Sequence, residues 1–151
     1  LEKCNACEKL GAQQAINYKE DEFQEVLGAN SVDIVLDCVG GPYLKSNIKV
    51  LKPDGRLILI GLMGGAKTDI NLGMLLAKRI QIIGSTLRSL STTRKQTIIN
   101  AFQEQFGEAM ATRAIAPVIH RTFPLNEAQA AHELIQSSQH IGKVVLTVLD
   151  N

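Results

Sequence analysis

The sequence predicts an α/β protein in which a doubly wound parallel sheet is covered by helices on both faces. Helix patterns and strand patterns alternate along the 151 residues, and short loops join them, as in βαβ units. Two segments, Val32–Cys38 and Arg56–Leu62, are mostly apolar without strict alternation, which is typical of strands buried on both faces. A glycine pair follows each segment, Gly40-Gly41 and Gly64-Gly65. Because ligands bind at this edge of such sheets, each pair is a candidate for ligand contact or simply for a turn.

Four elements are predicted in the first part of the chain. Apolar residues at helical spacing indicate a helix over Leu1–Leu10 that ends at Gly11, since glycine is common after helix ends. Ala15–Tyr18 is a short strand candidate. Asp21–Leu27 is a short helix whose acidic first turn suits the helix dipole. The strand Val32–Cys38 completes this part.

The middle of the chain contains a helix, a turn and a strand. Pro42 suits a first helical position and predicts a helix that runs to about Leu51. Lys52–Gly55 is predicted to turn, because proline presets φ and the glycine supplies a positive φ. The strand Arg56–Leu62 follows directly.

The remaining elements continue the alternation. Asn71 is a candidate N-cap for a helix to about Arg79, and Gln81–Leu87 is a strand. Ser91 or Thr92 caps a longer helix in which apolar residues recur at helical spacing. The last predicted elements are a strand at Val118–Phe123, a helix at Leu125–Ser137 and a strand at Val144–Leu149.

Composition excludes several classes of protein. A formal net charge of +1 argues against a nucleic-acid partner or an anionic membrane surface, and no apolar run approaches the roughly 20 residues that span a bilayer. The 3 cysteines do not suggest a disulfide framework. Cys4 and Cys7 form a C-x-x-C without the second pair of a zinc ribbon, so no metal is expected. The chain opens at Leu1 with no initiator Met and no signal peptide, so we expect a cytoplasmic protein whose upstream part is missing.

No familiar nucleotide motif is present in the sequence. Neither G-x-G-x-x-G nor a P-loop occurs. Asp33 and Asp37 fall on one face of a strand, where they are either paired acid–base carboxylates or an alternating strand edge. Asn17-Tyr18-Lys19 is either a phosphate-holding cluster or a turn.

Five segments, taken in order, resemble the C-terminal part of a zinc-independent medium-chain dehydrogenase/reductase of the NAD(P)H:quinone oxidoreductase branch. Single segments are weak evidence, but the ordered set covers essentially the whole chain. The segments are Lys9–Lys19, Val32–Gly41, Gly55–Gly65, Pro124–Glu133 and Ile141–Leu146.

The resemblance implies a Rossmann-like sheet that lacks its first two strands and the glycine-rich phosphate turn. Residues 1–114 would be the remnant of an NADP-binding domain. Residues 115–151 would be a strand-helix-strand piece of the GroES-like substrate domain. The segment Gln81–Leu87 would be an edge strand, and relatives pair that edge with a second subunit, so a homodimer is expected.

The resemblance also implies a set of cofactor-binding residues. Lys3 and Tyr18 match positions that hold the adenosine 2′-phosphate of NADPH, and an ammonium and a phenol hydroxyl are good partners for a phosphate. Residues after three successive strands match positions near the ribose and nicotinamide, and a late loop reaches back to the cofactor. These further residues are Cys38, Val39, Gly40, Gly61, Leu62, Met63, Thr86, Leu87, Arg88, Gly142 and Lys143.

The implied reaction is hydride transfer from NADPH to a quinone or enone, for which no catalytic residue in this chain is named. The cofactor supplies the chemistry and the protein orients it. The chain by itself is expected to be inactive. Two alternatives stay open: a non-catalytic structural or dimerisation module of the same fold, and a methyltransferase-like doubly wound domain.

Overall fold

The computed structural model describes residues 1–148. Leu149, the last residue of the final predicted strand, lies outside this range. The chain divides into two compact units, Gln13–Ser91, and Leu1–Ala12 together with the chain from Thr92 onward. Among residues 1–148, no helix combines the length and the apolar character needed to cross a membrane.

The elements alternate as the sequence predicts. The helices are α1 (Glu2–Lys9), α2 (Phe23–Leu27), α3 (Leu44–Val50), α4 (Leu72–Lys78), α5 (Thr92–Ala111) and α6 (Ala128–Gln136), with short 3₁₀ turns at Gly41–Tyr43 and Leu125–Glu127. The strands are β1 (Val32–Asp37), β2 (Leu51–Leu59), β3 (Gln81–Gly84), β4 (Ile119–Pro124) and β5 (Lys143–Thr147).

The unit of residues 13–91 is built on a parallel sheet with the strand order β1-β2-β3. One face of this sheet carries the core, in which Leu51 and Leu57 are fully buried. Helices α3 and α4 pack on that face, and Ile48 of α3 is among its buried residues. On the opposite face Ile34 and Leu36 are half or more exposed, so the expectation that β1 is buried on both faces is wrong for the described residues. The parallel register brings the carboxyl ends of the three strands to one edge.

The unit that contains α1 also holds the carboxyl-terminal part of the chain. There β4 and β5 form a parallel pair and α6 connects them, so the predicted strand-helix-strand piece is confirmed. Phe123 of β4 and Ala131 of α6 are buried. The predicted long helix is also confirmed, because α5 begins at Thr92.

One predicted strand is wrong, and the second and third strands of the sheet end earlier than predicted. Ala15–Tyr18 forms no strand, because a strand needs a neighbour for its backbone groups and the described sheet ends at β1 on one side. The third strand stops at Gly84 rather than Leu87, since its pairing ends where Gly84 meets Leu59. For the same reason β2 stops at Leu59 rather than Leu62.

The predicted turn at residues 52–55 lies inside β2 as an irregularity in the pairing. Val32 pairs with Leu51, whereas the next β1 residue in register pairs with Arg56. The positive φ belongs to Asp54, at 64°, and not to Gly55. Gly55 serves another purpose, because a Cβ there would lie 2.8 Å from the carbonyl oxygen of Lys52.

Candidate functional site

Two loops lie side by side at the carboxyl edge of the sheet. These edge loops, residues 38–41 after β1 and 60–65 after β2, are joined by backbone hydrogen bonds. The N–H of Met63 donates to the carbonyl of Cys38 at 3.0 Å, and the N–H of Gly64 donates to that of Val39 at 2.8 Å. The N–H of Gly41 donates to the carbonyl of Gly65 at 2.9 Å. The edge loops therefore extend the sheet pairing beyond the ends of the strands.

The glycines of the edge loops are required by this close approach. A Cβ on Gly40 would lie 2.7 Å from Leu62 Cδ2 and 2.8 Å from the carbonyl oxygen of Gly65. A Cβ on Gly61 would lie 3.0 Å from the carbonyl oxygen of Cys38. Gly40 and Gly61 thus lie at the same edge, as expected. The space that each glycine opens is filled by the neighbouring loop, so contact with a ligand would fall to the side chains around them.

Exposed apolar side chains line this edge. Leu62 is 52% and Met63 is 85% exposed, and Cys38 is a free, exposed thiol. The third strand contributes the next loop, since the N–H of Ser85 donates to the carbonyl of Leu59 at 2.9 Å. The residues that follow Ser85 at this edge, Thr86, Leu87 and Arg88, are exposed. The structure thereby brings together the predicted residues of all three loops at one edge.

A buried carboxylate holds the first edge loop in place. Asp37, which is 4% exposed, accepts hydrogen bonds from the N–H groups of Val39 at 2.6 Å and Gly40 at 3.1 Å. Its second oxygen accepts from Asn47 Nδ2 at 3.0 Å, and Asn47 on α3 is 2% exposed. This role of Asp37 was not predicted from the sequence. The available signal was an aspartate that ends an apolar strand and precedes a glycine by three positions, an arrangement typical of a side chain that caps a turn.

The two carboxylates of β1 do not form an acid–base pair. Asp33 is exposed and accepts a hydrogen bond from Lys52 Nζ at 2.8 Å, whereas the carboxylate of Asp37 is buried against loop amides. The geometry therefore favours the strand-edge interpretation for Asp33 and a structural contact for Asp37.

The predicted phosphate-binding side chains belong to different compact units. Lys3 is exposed in the first turn of α1. Tyr18 is 71% exposed and lies in a turn, where the N–H of Lys19 donates to Asn17 Oδ1 at 3.3 Å. Within residues 1–148, neither Lys3 nor Tyr18 makes a side-chain hydrogen bond or ion pair. Both side chains have polar groups that could meet a phosphate.

The late loop lies in the unit that contains β4 and β5. Gly142 has a φ of 90°, and a Cβ there would collide with the carbonyl oxygen of Val118. The N–H of Lys143 donates to that carbonyl at 2.8 Å. The glycine thus permits the start of β5 to pack against the chain that enters β4, and the Lys143 side chain is exposed.

The shifted pKa values lie at the amino edge of the sheet, away from the edge loops. Arg79 donates two hydrogen bonds of 2.7 Å to the Asp54 carboxylate. These bonds lower the pKa of Asp54 and raise that of Arg79. Burial lowers the pKa of Lys78. Among the described residues, no group of three or more His, Cys, Asp or Glu side chains is placed to hold a metal ion.

Comparison with known proteins identifies the family. A family model described as zinc-binding dehydrogenase matches residues 10–146. Quinone oxidoreductase 1 of Escherichia coli (strain K12) is 30% identical over 151 aligned residues, which cover 96% of this chain and 46% of that protein. The 2-haloacrylate reductase of Burkholderia sp is 28% identical over 149 residues, which cover 96% of this chain and 45% of that protein. The chain thus spans about half the length of the curated relatives it matches.

The fold agrees with this match. The crystal structure of Escherichia coli quinone oxidoreductase complexed with NADPH is similar with a TM-score of 0.74 and 28% identity, covering 97% of this chain and 47% of that one. The predicted α/β class with a parallel sheet is confirmed. The chain belongs to the zinc-binding dehydrogenase family, among the medium-chain dehydrogenase/reductases of the quinone oxidoreductase type.

Proposed function

We propose that the protein containing this chain is an NADPH-dependent reductase of quinones or enones. The observation that carries this proposal is the pairing of the two edge loops, which presents Leu62 and Met63 at the carboxyl edge of the sheet. Two named relatives support the acceptor class, a quinone oxidoreductase and a 2-haloacrylate reductase. Quinones and haloacrylates share a double bond conjugated to a carbon–oxygen double bond, and such a bond accepts a hydride.

The edge loops suit the uncharged half of a dinucleotide better than its phosphates. Phosphates bind to free backbone N–H groups, yet most N–H groups of these loops already donate within the protein. What the edge offers instead is apolar side-chain surface, which fits the faces of a ribose and a nicotinamide ring. The engaged N–H groups are those of Val39, Gly40, Gly41, Ile60, Met63, Gly64 and Gly65.

We propose that the exposed Lys3 ammonium and Tyr18 hydroxyl hold the 2′-phosphate. Thr86, Leu87, Arg88, Gly142 and Lys143 complete the proposed cofactor-binding set. Bound NADPH supplies the hydride. The chain's own residues orient the cofactor and exclude water from the reacting atoms, so no side chain of this chain is assigned as an acid or a base.

The decisive experiment is an assay of the full-length gene product. NADPH consumption is measured with 1,4-benzoquinone and with an enone as acceptors. Saturable consumption with either acceptor supports the proposal. A protein that binds no NADPH and reduces neither acceptor would favour the non-catalytic dimerisation module.

We further propose that the reaction is independent of zinc. Dialysis of the full-length protein against a zinc chelator is expected to leave its quinone reduction unchanged. Loss of activity that returns on addition of zinc would contradict this proposal.

The remaining parts of the proposal concern organisation and location. Residues 1–114 belong to the cofactor domain and residues 115–151 to the substrate domain. The pairing of β4 with β5 in a sheet of their own supports the assignment of the carboxyl-terminal piece to a separate domain. The protein is cytoplasmic, a location that suits free cysteines such as Cys4, Cys7 and Cys38.

A further inference from the structure

We propose that Asp37 and Asn47 are positioning residues for the nicotinamide half of the cofactor site. This inference rests on the proposed function, because it concerns the loop residues assigned there to the cofactor. Neither side chain is available to touch a ligand, since Asp37 is 4% and Asn47 is 2% exposed. Both act through the backbone of residues 38–40.

The buried carboxylate fixes the first edge loop directly. Asp37 Oδ1 accepts from the N–H of Val39 at 2.6 Å and from that of Gly40 at 3.1 Å. Its Oδ2 lies 3.2 Å from the N–H of Gly40 and 3.0 Å from Asn47 Nδ2. Without this acceptor, the buried N–H of Gly40, the part-buried N–H of Val39 and the side-chain amide of Asn47 would lose a hydrogen-bond partner, which destabilises the loop.

The second edge loop depends on the first. Its N–H groups at Met63 and Gly64 donate to the carbonyls of Cys38 and Val39. A shift of residues 38–40 therefore changes where Leu62 and Met63 present their apolar side chains.

The contact between Asp37 and Asn47 can be tested with a matched set of variants. Asp37→Asn keeps the size of the side chain but turns an amide toward the amide of Asn47. Asn47→Asp places a second buried carboxylate next to that of Asp37, and the two charges repel each other. The exchange of both residues, Asp37→Asn with Asn47→Asp, restores one donor and one acceptor between them. Asp33→Asn removes an exposed carboxylate from the same strand and serves as the control.

The test uses the full-length protein and two ligands. NADPH carries the nicotinamide half, whereas adenosine 2′,5′-bisphosphate carries the 2′-phosphate end without it. We expect Asp37→Asn to weaken NADPH binding ~10-fold, the effect of a lost buried hydrogen bond to a charged group. Binding of adenosine 2′,5′-bisphosphate should stay within about 2-fold, and the double exchange should recover NADPH binding to within about 3-fold.

Each other result overturns the inference. An equal loss of binding for both ligands would show a general effect on folding. Unchanged NADPH binding by the Asp37→Asn variant would show that the loop does not depend on this carboxylate. Failure of the double exchange to recover binding, with Asp33→Asn normal, would show that the pair does not act together. A failure of the proposed function is distinguishable, because the unaltered protein would then bind neither ligand.

Discussion

At the scale of single residues, the proposed preference for NADPH depends on side chains outside the edge loops. NADPH and NADH differ only in the 2′-phosphate, so a residue that binds this group changes the affinity for one cofactor and not the other. Lys3 provides an exposed cation in the first turn of α1. Lys3 makes no ion pair with any residue in the range 1–148, so none of these residues neutralises its charge.

Lys3→Met is therefore expected to weaken NADPH binding by about 1–3 kcal/mol, the contribution of a charged hydrogen bond. NADH binding should change little. Titration of both cofactors into the full-length protein measures the difference, and Lys9→Met at the other end of α1 is the control. Equal losses for NADPH and NADH would refute the assignment of Lys3 to the 2′-phosphate.

A second residue-scale prediction concerns pH. The Arg79 hydrogen bonds hold the pKa of Asp54 below its ordinary value of 3.8. A lowered carboxyl pKa stabilises the folded state above pH 3.8, and this contribution is lost as the pH falls through the folded-state pKa.

Asp54→Asn is expected to lower the Tm at pH 7, with a difference from the wild type that shrinks as the pH falls below 3.8. Asparagine tolerates the positive φ at this position, so the backbone is not the cause. Thermal unfolding across this pH range measures the effect. A difference that stays constant with pH would contradict a role for the ion pair.

At the scale of elements, the carboxyl end of α3 is completed by a side chain from α4. Lys78 Nζ donates hydrogen bonds to three carbonyl groups at this point, two in the last turn of α3 and one at the start of β2. The ammonium also suits the negative end of the helix dipole. The three acceptors are the carbonyl oxygens of Ile48 at 2.8 Å, Lys49 at 2.9 Å and Leu51 at 2.8 Å.

Lys78→Met is expected to destabilise the protein by about 1–3 kcal/mol, because each of these partly buried carbonyls loses a hydrogen bond. Urea unfolding of the full-length protein measures the change. Lys67→Met, at an exposed lysine in the loop before α4, is the control. An equal effect of the two substitutions would contradict the capping role of Lys78.

The sequence predicts the order and type of most elements because their apolar spacing and end residues act locally. The N-cap at Asn71 is confirmed, since its Oδ1 accepts from the N–H of Met74 at 3.2 Å. Contacts between residues far apart in the sequence are harder to predict from it. The contact of Lys78 with α3 spans about 30 positions, and no local sequence pattern indicates it.

The candidate site was predicted in part for the same reason. That glycine pairs follow two neighbouring strands is visible in the sequence, and the edge they share is confirmed. The sequence did not indicate that the neighbouring loop fills the space beside these glycines. That packing depends on how residues 60–65 pair with residues 38–41. The anchor at Asp37 also needs Asn47 from another element.

At the scale of the whole molecule, the side of β3 that pairs with no strand among residues 1–148 is a candidate assembly surface. All four residues of β3 are exposed, and β3 pairs with β2 on one side. Unpaired strand edges join other chains unless they are protected. We propose that Gln81–Leu87 pairs with its copy in a homodimer.

Ile83→Lys is expected to shift the full-length protein from dimer toward monomer, because it sets charges against each other at the shared edge. Sedimentation velocity measures the mass. Ile70→Lys, which adds the same charge at an exposed isoleucine outside β3, is the control. A dimer that persists in Ile83→Lys, or a monomeric unaltered protein, would argue against this edge.

The backbone hydrogen bonds between the edge loops also indicate how the site could be redesigned for other acceptors. An inserted residue in either loop would pull apart the hydrogen bonds between Val39 and Gly64 and between Gly41 and Gly65. Changes of loop length are therefore a poor route to new acceptors. Replacement of the protruding Leu62 and Met63 side chains would reshape the same surface and leave the underlying framework intact.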